Sequence, residues 1–125
     1  MRPDDKFSWL FVIPLDDPCA VDKFLCSVGT NLPAGLRACL ATNNAGTPSI
    51  ETFSTVEGGR YAFKALFSYN AGDAESIDRF YPLLVDACAL SYPIALEAAG
   101  DVVCYDEAAD GFVLIRHETG TIEVI

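Results

Sequence analysis

The chain has 125 residues, 51% of them apolar, with 18 acidic residues against eight Lys plus Arg and a formal charge of −10. That length suits one ordinary domain with a single core, and the composition excludes disordered and fibrous classes. The charge spreads a negative potential over the surface, which argues against direct binding to nucleic acid or anionic membrane and favours a cationic partner. Acidic charge that merely keeps the domain soluble is the competing reading.

At the N-terminus, Phe7 to Leu15 is mostly apolar, but it does not read as a signal peptide. Arg2 and Lys6 are cancelled by Asp4 and Asp5, Pro14, Asp16 and Asp17 end the run, and no small-x-small cleavage site follows. The run is also too short to span a bilayer, which takes about 20 apolar residues. Residues 1–15 are expected to form an extension or edge segment of one domain covering 1–125.

Residues 16–29 read as a capped helix, with Asp17 as N-cap, Pro18 in the first helical position and Gly29 just past the end. Ala20, Val21, Phe24, Leu25 and Val28 share its inward face. A second helix starts at Pro33, turns Leu36, Cys39 and Leu40 inward, and stops within Asn43 to Gly46. After Pro48 the pattern alternates, in SIETF and then in YAFKALFS with Tyr61, Phe63, Ala65 and Phe67 on one side, and Gly58-Gly59 makes the turn between. Asp73 is the expected N-cap of a third helix whose face carries Ile77, Phe80, Tyr81 and Leu84, with Pro82 bending or splitting it. Strands at 92–97, 102–106, 111–117 and 121–125 follow as an antiparallel meander. Short helices packed on a mainly antiparallel, twisted sheet make the fold class α+β.

Five cysteines (Cys19, Cys26, Cys39, Cys88, Cys104) are scattered with no CxxC spacing, which fits free thiols in a reducing cytoplasm, most of them small core residues. Zinc is disfavoured, because its sites need clustered ligands and His117 is the only histidine. No cofactor motif is present: there is no Gly-rich phosphate loop, HExxH, GxSxG or EF-hand loop.

Three readings compete for residues 97–123. Cys104 with His117 would make a thiolate nucleophile and its base, but Cys104 sits in an apolar strand and reads better as a buried thiol. Asp101, Asp106, Glu107 and Asp110 offer paired carboxylates for acid–base chemistry, which needs a cleft; turn chemistry explains aspartates between strands more simply. In the binding reading, seven acids stand against Arg116 alone, and steering of a basic partner raises association rates by about one to three orders of magnitude at low salt. Tyr105 or Tyr69 would then anchor the interface, while a solvated sheet edge kept charged against aggregation is the bland counterpart.

The order of segments from Asp16 to Ile125 resembles the SUKH superfamily of bacterial immunity proteins and fungal cell-wall regulators. The resemblance rests on Leu32-Pro33 opening a helix, Asn44-Ala45-Gly46 ending it, Ser68-Tyr69-Asn70, Gly100-Asp101, Cys104-Tyr105-Asp106 and the closing His117-Glu118. Departures are Leu25 where many members carry an acid, Ala45 where the family has the middle glycine of Asn-Gly-Gly, and an ending at Ile125 where many continue into a helix.

The resemblance implies a cytoplasmic antitoxin that binds and neutralises a polymorphic or contact-dependent toxin without chemistry of its own. Its partner would be a protein toxin with a basic surface, often of the nuclease type, bound by a monomer or weak homodimer. Asp101, Tyr105, Asp106, Glu107 and Asp110 are the expected partner contacts, and no catalytic, metal or cofactor residue is expected. A regulatory or scaffold module of the same fold is the alternative, and a small hydrolase a more distant one.

Overall fold

The computed structural model describes residues 8–50, 52–88 and 91–125. Among them, the elements run β1 (Trp9–Leu10), α1 (Ala20–Val28), α2 (Ala34–Thr42), β2 (Thr47–Pro48), β3 (Thr52–Ser54), β4 (Arg60–Leu66), α3 (Ile77–Cys88), β5 (Ser91–Glu97), β6 (Val102–Asp106), β7 (Gly111–Ile115) and β8 (Ile122–Val124). Strands β3 to β8 form one antiparallel sheet in sequence order, and β1 pairs with β2. Helices packed on this meander make one small α+β domain, the class that the change of hydrophobic period implies.

Helix α1 begins later than the sequence indicates. Asp17 closes a turn ahead of it, its Oδ1 accepting the Cys19 N–H at 2.9 Å and its carbonyl the Ala20 N–H at 3.0 Å. Pro18 and Cys19 therefore lie in that turn, and the first helical residue is Ala20. The far end is as expected: Gly29 takes a left-handed φ of 71°, its N–H reaches the Cys26 carbonyl, and the Thr30 N–H reaches that of Leu25. This paired closure satisfies two terminal carbonyls that would otherwise lack partners.

Asp73 does not cap α3, which starts at Ile77; its carboxylate accepts the Ser68 hydroxyl instead. Pro82 does not split the helix, which runs through it to Cys88. Aromatic contacts seat α3 on the sheet, with Phe80 against Phe67 at 5.3 Å and Tyr81 against Tyr92 at 6.0 Å. Phe24 of α1 meets Tyr69 and Tyr81 edge-on, so the two helices share one aromatic seam.

The strict alternation expected over residues 61–67 fails at a bulge. Between β4 and β5, Phe63 pairs with Glu97 but Ala65 pairs with Leu96, which inserts Lys64 as an extra residue. Leu66 thereby joins the face of Phe63, and Leu66 and Phe67 are both buried. A second shift, at Ile94, bends β5 against β6.

Two bulges and ordinary twist curl the sheet until its edge strands approach. The Val56 N–H donates to the Val124 carbonyl at 2.7 Å, and Thr55 Oγ1 donates to Glu123 Oε1 at 2.9 Å. Backbone groups that an open edge would expose are thus partly covered by the chain itself.

Candidate functional site

The acids expected to form one C-terminal face lie at opposite ends of β6. Asp101 opens the strand and Asp106 closes it, a separation of about 17 Å for extended chain. At the Asp106 end, the turn into β7 carries Asp106, Glu107 and Asp110. Glu107 and Asp110 are exposed and Asp106 is half-buried.

That turn is held in one shape. Asp106 Oδ1 accepts the Ala108 N–H at 3.1 Å, the Asp110 N–H donates to the Glu107 carbonyl, and Asp110 sits at a left-handed φ of 48°. The Tyr105 hydroxyl donates to Asp110 Oδ1 at 2.6 Å, and this bond, with burial and the neighbouring carboxylates, pushes the phenol up to about 12. Tyr105 is only 5% exposed, so it braces the turn from below and presents little surface of its own. Tyr69 is likewise buried, its hydroxyl 2.6 Å from that of Tyr92.

Asp101 is also buried, at 3% exposed. Gly100, at a φ of 96°, turns the chain so that the Asp101 carboxylate points at the start of the β7–β8 turn. There Oδ1 accepts the His117 backbone N–H at 2.9 Å and lies 2.5 Å from the ring Nδ1, while Arg116 Nε lies 2.9 Å from Oδ2 as an ion pair. Burial raises the Asp101 pKa, but the His117 N–H and ring together with Arg116 outweigh it and hold the carboxyl below its ordinary value.

Arg116 continues this cluster to Glu123, 3.3 Å away, and to the Tyr61 hydroxyl and ring. Glu123 also accepts from Tyr61 and Thr55, and these bonds lower its pKa. The charges at this end of the sheet are therefore spent on closing it. Of the expected contact acids, Asp106, Glu107 and Asp110 remain at least partly at the surface.

Asn44, Ser68 and Asn70 form a buried polar hub. Asn44 is fully buried; its Oδ1 accepts the Tyr69 N–H at 2.7 Å, and its Nδ2 donates to the Ile13 carbonyl and to Ser68 Oγ. Asn70 Oδ1 accepts the Asp16 N–H, and its Nδ2 donates to the Pro14 carbonyl. Two asparagines and a serine thus fasten residues 13–16 to the core. Ala45, beside this hub, sits at a φ of 60°.

Neither catalytic arrangement assembles. Cys104 is buried mid-strand opposite Val113, and the His117 ring turns to Asp101. Asp101 is separated from Asp106, Glu107 and Asp110 by the length of β6. Of the four cysteines described as to burial, only Cys104 is buried; Cys19 and Cys26 are exposed, contrary to the expectation of core thiols. Among the described residues, no group of three or more potential ligands is placed to hold a metal, and no helix is long and apolar enough to cross a membrane.

A second acidic concavity has no signal in local sequence. A cavity of about 470 Å³ opens between α1 and the start of α3, with Asp16, Asp17 and Asp78 at its rim and Phe24 and Tyr69 in its wall. Lys23 pairs with Asp17 at 2.6 Å across one side. Only the packing of α1 against α3 brings Asp78 beside residues some sixty positions earlier. Compared with family models, curated proteins and solved structures, the chain gives no match.

Proposed function

We propose that this protein is an immunity protein of the SUKH type, which binds a cognate polymorphic or contact-dependent toxin stoichiometrically and performs no chemistry. The observation that carries the reading is the β6–β7 turn. Three carboxylates stand within five residues there, and no Lys or Arg occurs between Glu97 and Arg116. The turn is fixed beforehand by its Asx bond and by Tyr105, so little order is lost when a partner docks.

The partner this turn suits is a toxin domain with a basic surface, such as a nuclease. Rigid acids attract such a surface over about one Debye length and set the encounter orientation. Exposed thiols at Cys19 and Cys26 fit a reducing compartment, and the reading places the protein in the cytoplasm.

Co-expression with the toxin encoded beside it tests the proposal, scored by rescue of growth and by co-purification. Replacing Asp106, Glu107 and Asp110 together by Asn, Gln and Asn, which removes the three charges and keeps the turn's acceptors, should cut the association rate by about tenfold or more at low salt and leave the melting temperature nearly unchanged. Unchanged association by a folded triple variant overturns the assignment of this turn; failure to rescue or co-purify overturns the immunity reading.

A further inference from the structure

We propose that a second site, an apolar cavity between α2, β1 and the sheet, binds one neutral apolar molecule of about two fused rings. The cavity measures about 250 Å³. Trp9 of β1 and Leu36 and Cys39 of α2 form one wall, and Phe53, Phe63 and Phe112 of the sheet form the other. Strand register makes the second wall continuous. Phe53 pairs across with Tyr61, which shares a face with Phe63, and Phe112 pairs with Tyr105, which shares a face with Val103.

Protein cores are packed as densely as organic crystals, and voids larger than a water molecule are few. This 250 Å³ space is open to solvent on one side and has room for a ligand larger than the benzene that an enclosed apolar cavity of roughly 150 Å³ takes up. The lining that faces this space is wholly apolar, so a polar or charged group placed in it would lose its hydration without gaining a partner. The formal charge of −10 adds repulsion against an anionic amphiphile.

The ring geometry favours a flat occupant. Trp9 and Phe53 each meet Phe63 edge-on, at 6.3 and 6.4 Å, an arrangement that extends to an inserted ring. Phe112 and Ile125, both in the lining, remain 38% exposed and leave the space a way in.

Naphthalene is a suitable probe, with Cys39 as the reporter. At a concentration ten times its dissociation constant, naphthalene should slow alkylation of Cys39 by about tenfold and raise the melting temperature. Site-resolved mass spectrometry separates Cys39 from the exposed Cys19 and Cys26, whose rates should not change. Leu36→Trp and Val103→Phe each fill the cavity; a variant that retains the native circular dichroism spectrum should lose both responses.

Absence of protection and of stabilisation up to the solubility of naphthalene overturns the proposal, as does an undiminished response in a folded, filled variant. Equal protection by decanoate overturns the requirement for a neutral ligand. None of these outcomes depends on the acidic turn or on a toxin.

Discussion

Replacing Asn44 by alanine should cost about 3 kcal/mol, far more than the loss of a small polar side chain at the surface. The figure comes from two backbone groups that lose their partner. The Tyr69 N–H is buried and donates to Asn44 Oδ1, so its desolvation penalty of about 1–3 kcal/mol is incurred in full. The Ile13 carbonyl is partly buried and keeps some access to water, which places its share near the low end of that range, at about 1 kcal/mol. Ser68 Oγ keeps its bonds to Asp73 and to the Asn70 N–H and adds little.

For a domain of this size, a loss of about 3 kcal/mol lowers the melting temperature by roughly 10–15 °C. Urea denaturation at constant slope measures it directly. Asn44→Asp is the informative companion, because an aspartate retains the acceptor for Tyr69 but has no hydrogen to offer Ile13 unless it is protonated. Its deficit relative to the unsubstituted protein should therefore shrink as the pH falls. A deficit below about 1 kcal/mol for Asn44→Ala, or a pH-independent deficit for Asn44→Asp, would refute the assignment of these bonds.

Ala45→Gly should stabilise the protein by about 0.5–1 kcal/mol, because relief of the left-handed strain at φ 60° exceeds the added flexibility of the unfolded chain; urea denaturation reads the sign. Asp101 and Glu123 both have folded pKa values below their ordinary 3.8 and 4.5, so they bind protons less readily when folded. Their contribution is complete above those ordinary values and is lost as the pH falls through the folded ones, so Asp101→Asn should flatten the acid limb of a stability–pH curve. Tyr105→Phe should loosen the turn at Asp110, which hydrogen exchange at the Ala108 and Asp110 amides would register as faster opening.

Much of the secondary structure is legible because its causes are local. The strand Val102–Asp106 follows the apolar run between two turns, and the end of α1 follows from Gly29. The bulge at Lys64 is not legible: YAFKALF alternates well enough as an unbroken strand, and only pairing with β5 shows that an extra residue must be accommodated. Asp73 looked like a helix cap for the same reason, since nothing nearby reveals that Ser68 competes for its carboxylate.

The acidic site shows the same limit in another form. A count of acids from Glu97 to Glu123 treats them as one surface, whereas a five-residue strand puts Asp101 and Asp106 at opposite ends and three-dimensional pairing neutralises the first group. Composition reports charge, and it does not report which charges have partners. Asp101 and Glu123 are held by Arg116, His117, Tyr61 and Thr55, whereas Asp106, Glu107 and Asp110 on the β6–β7 turn and Glu118 on the β7–β8 turn stay at least partly at the surface.

This division has a consequence for how the molecule tolerates change. Asn44, Ser68 and Asn70 satisfy backbone groups of residues 13, 14, 16, 69 and 70, and Asp101 satisfies that of His117, so substitution at any of them leaves a buried or half-buried amide or carbonyl without that partner. The Asp106 and Asp110 carboxylates accept from the Ala108 N–H and the Tyr105 hydroxyl, and the Glu107 carbonyl accepts the Asp110 N–H. Like charges so close together repel one another, and exchanging them for other polar residues removes repulsion as well as bonds. The frame is thus specified by polar groups that face inward. The outward-facing charges of the β6–β7 turn are constrained less: Asn or Gln in their place keeps the acceptors that shape the turn.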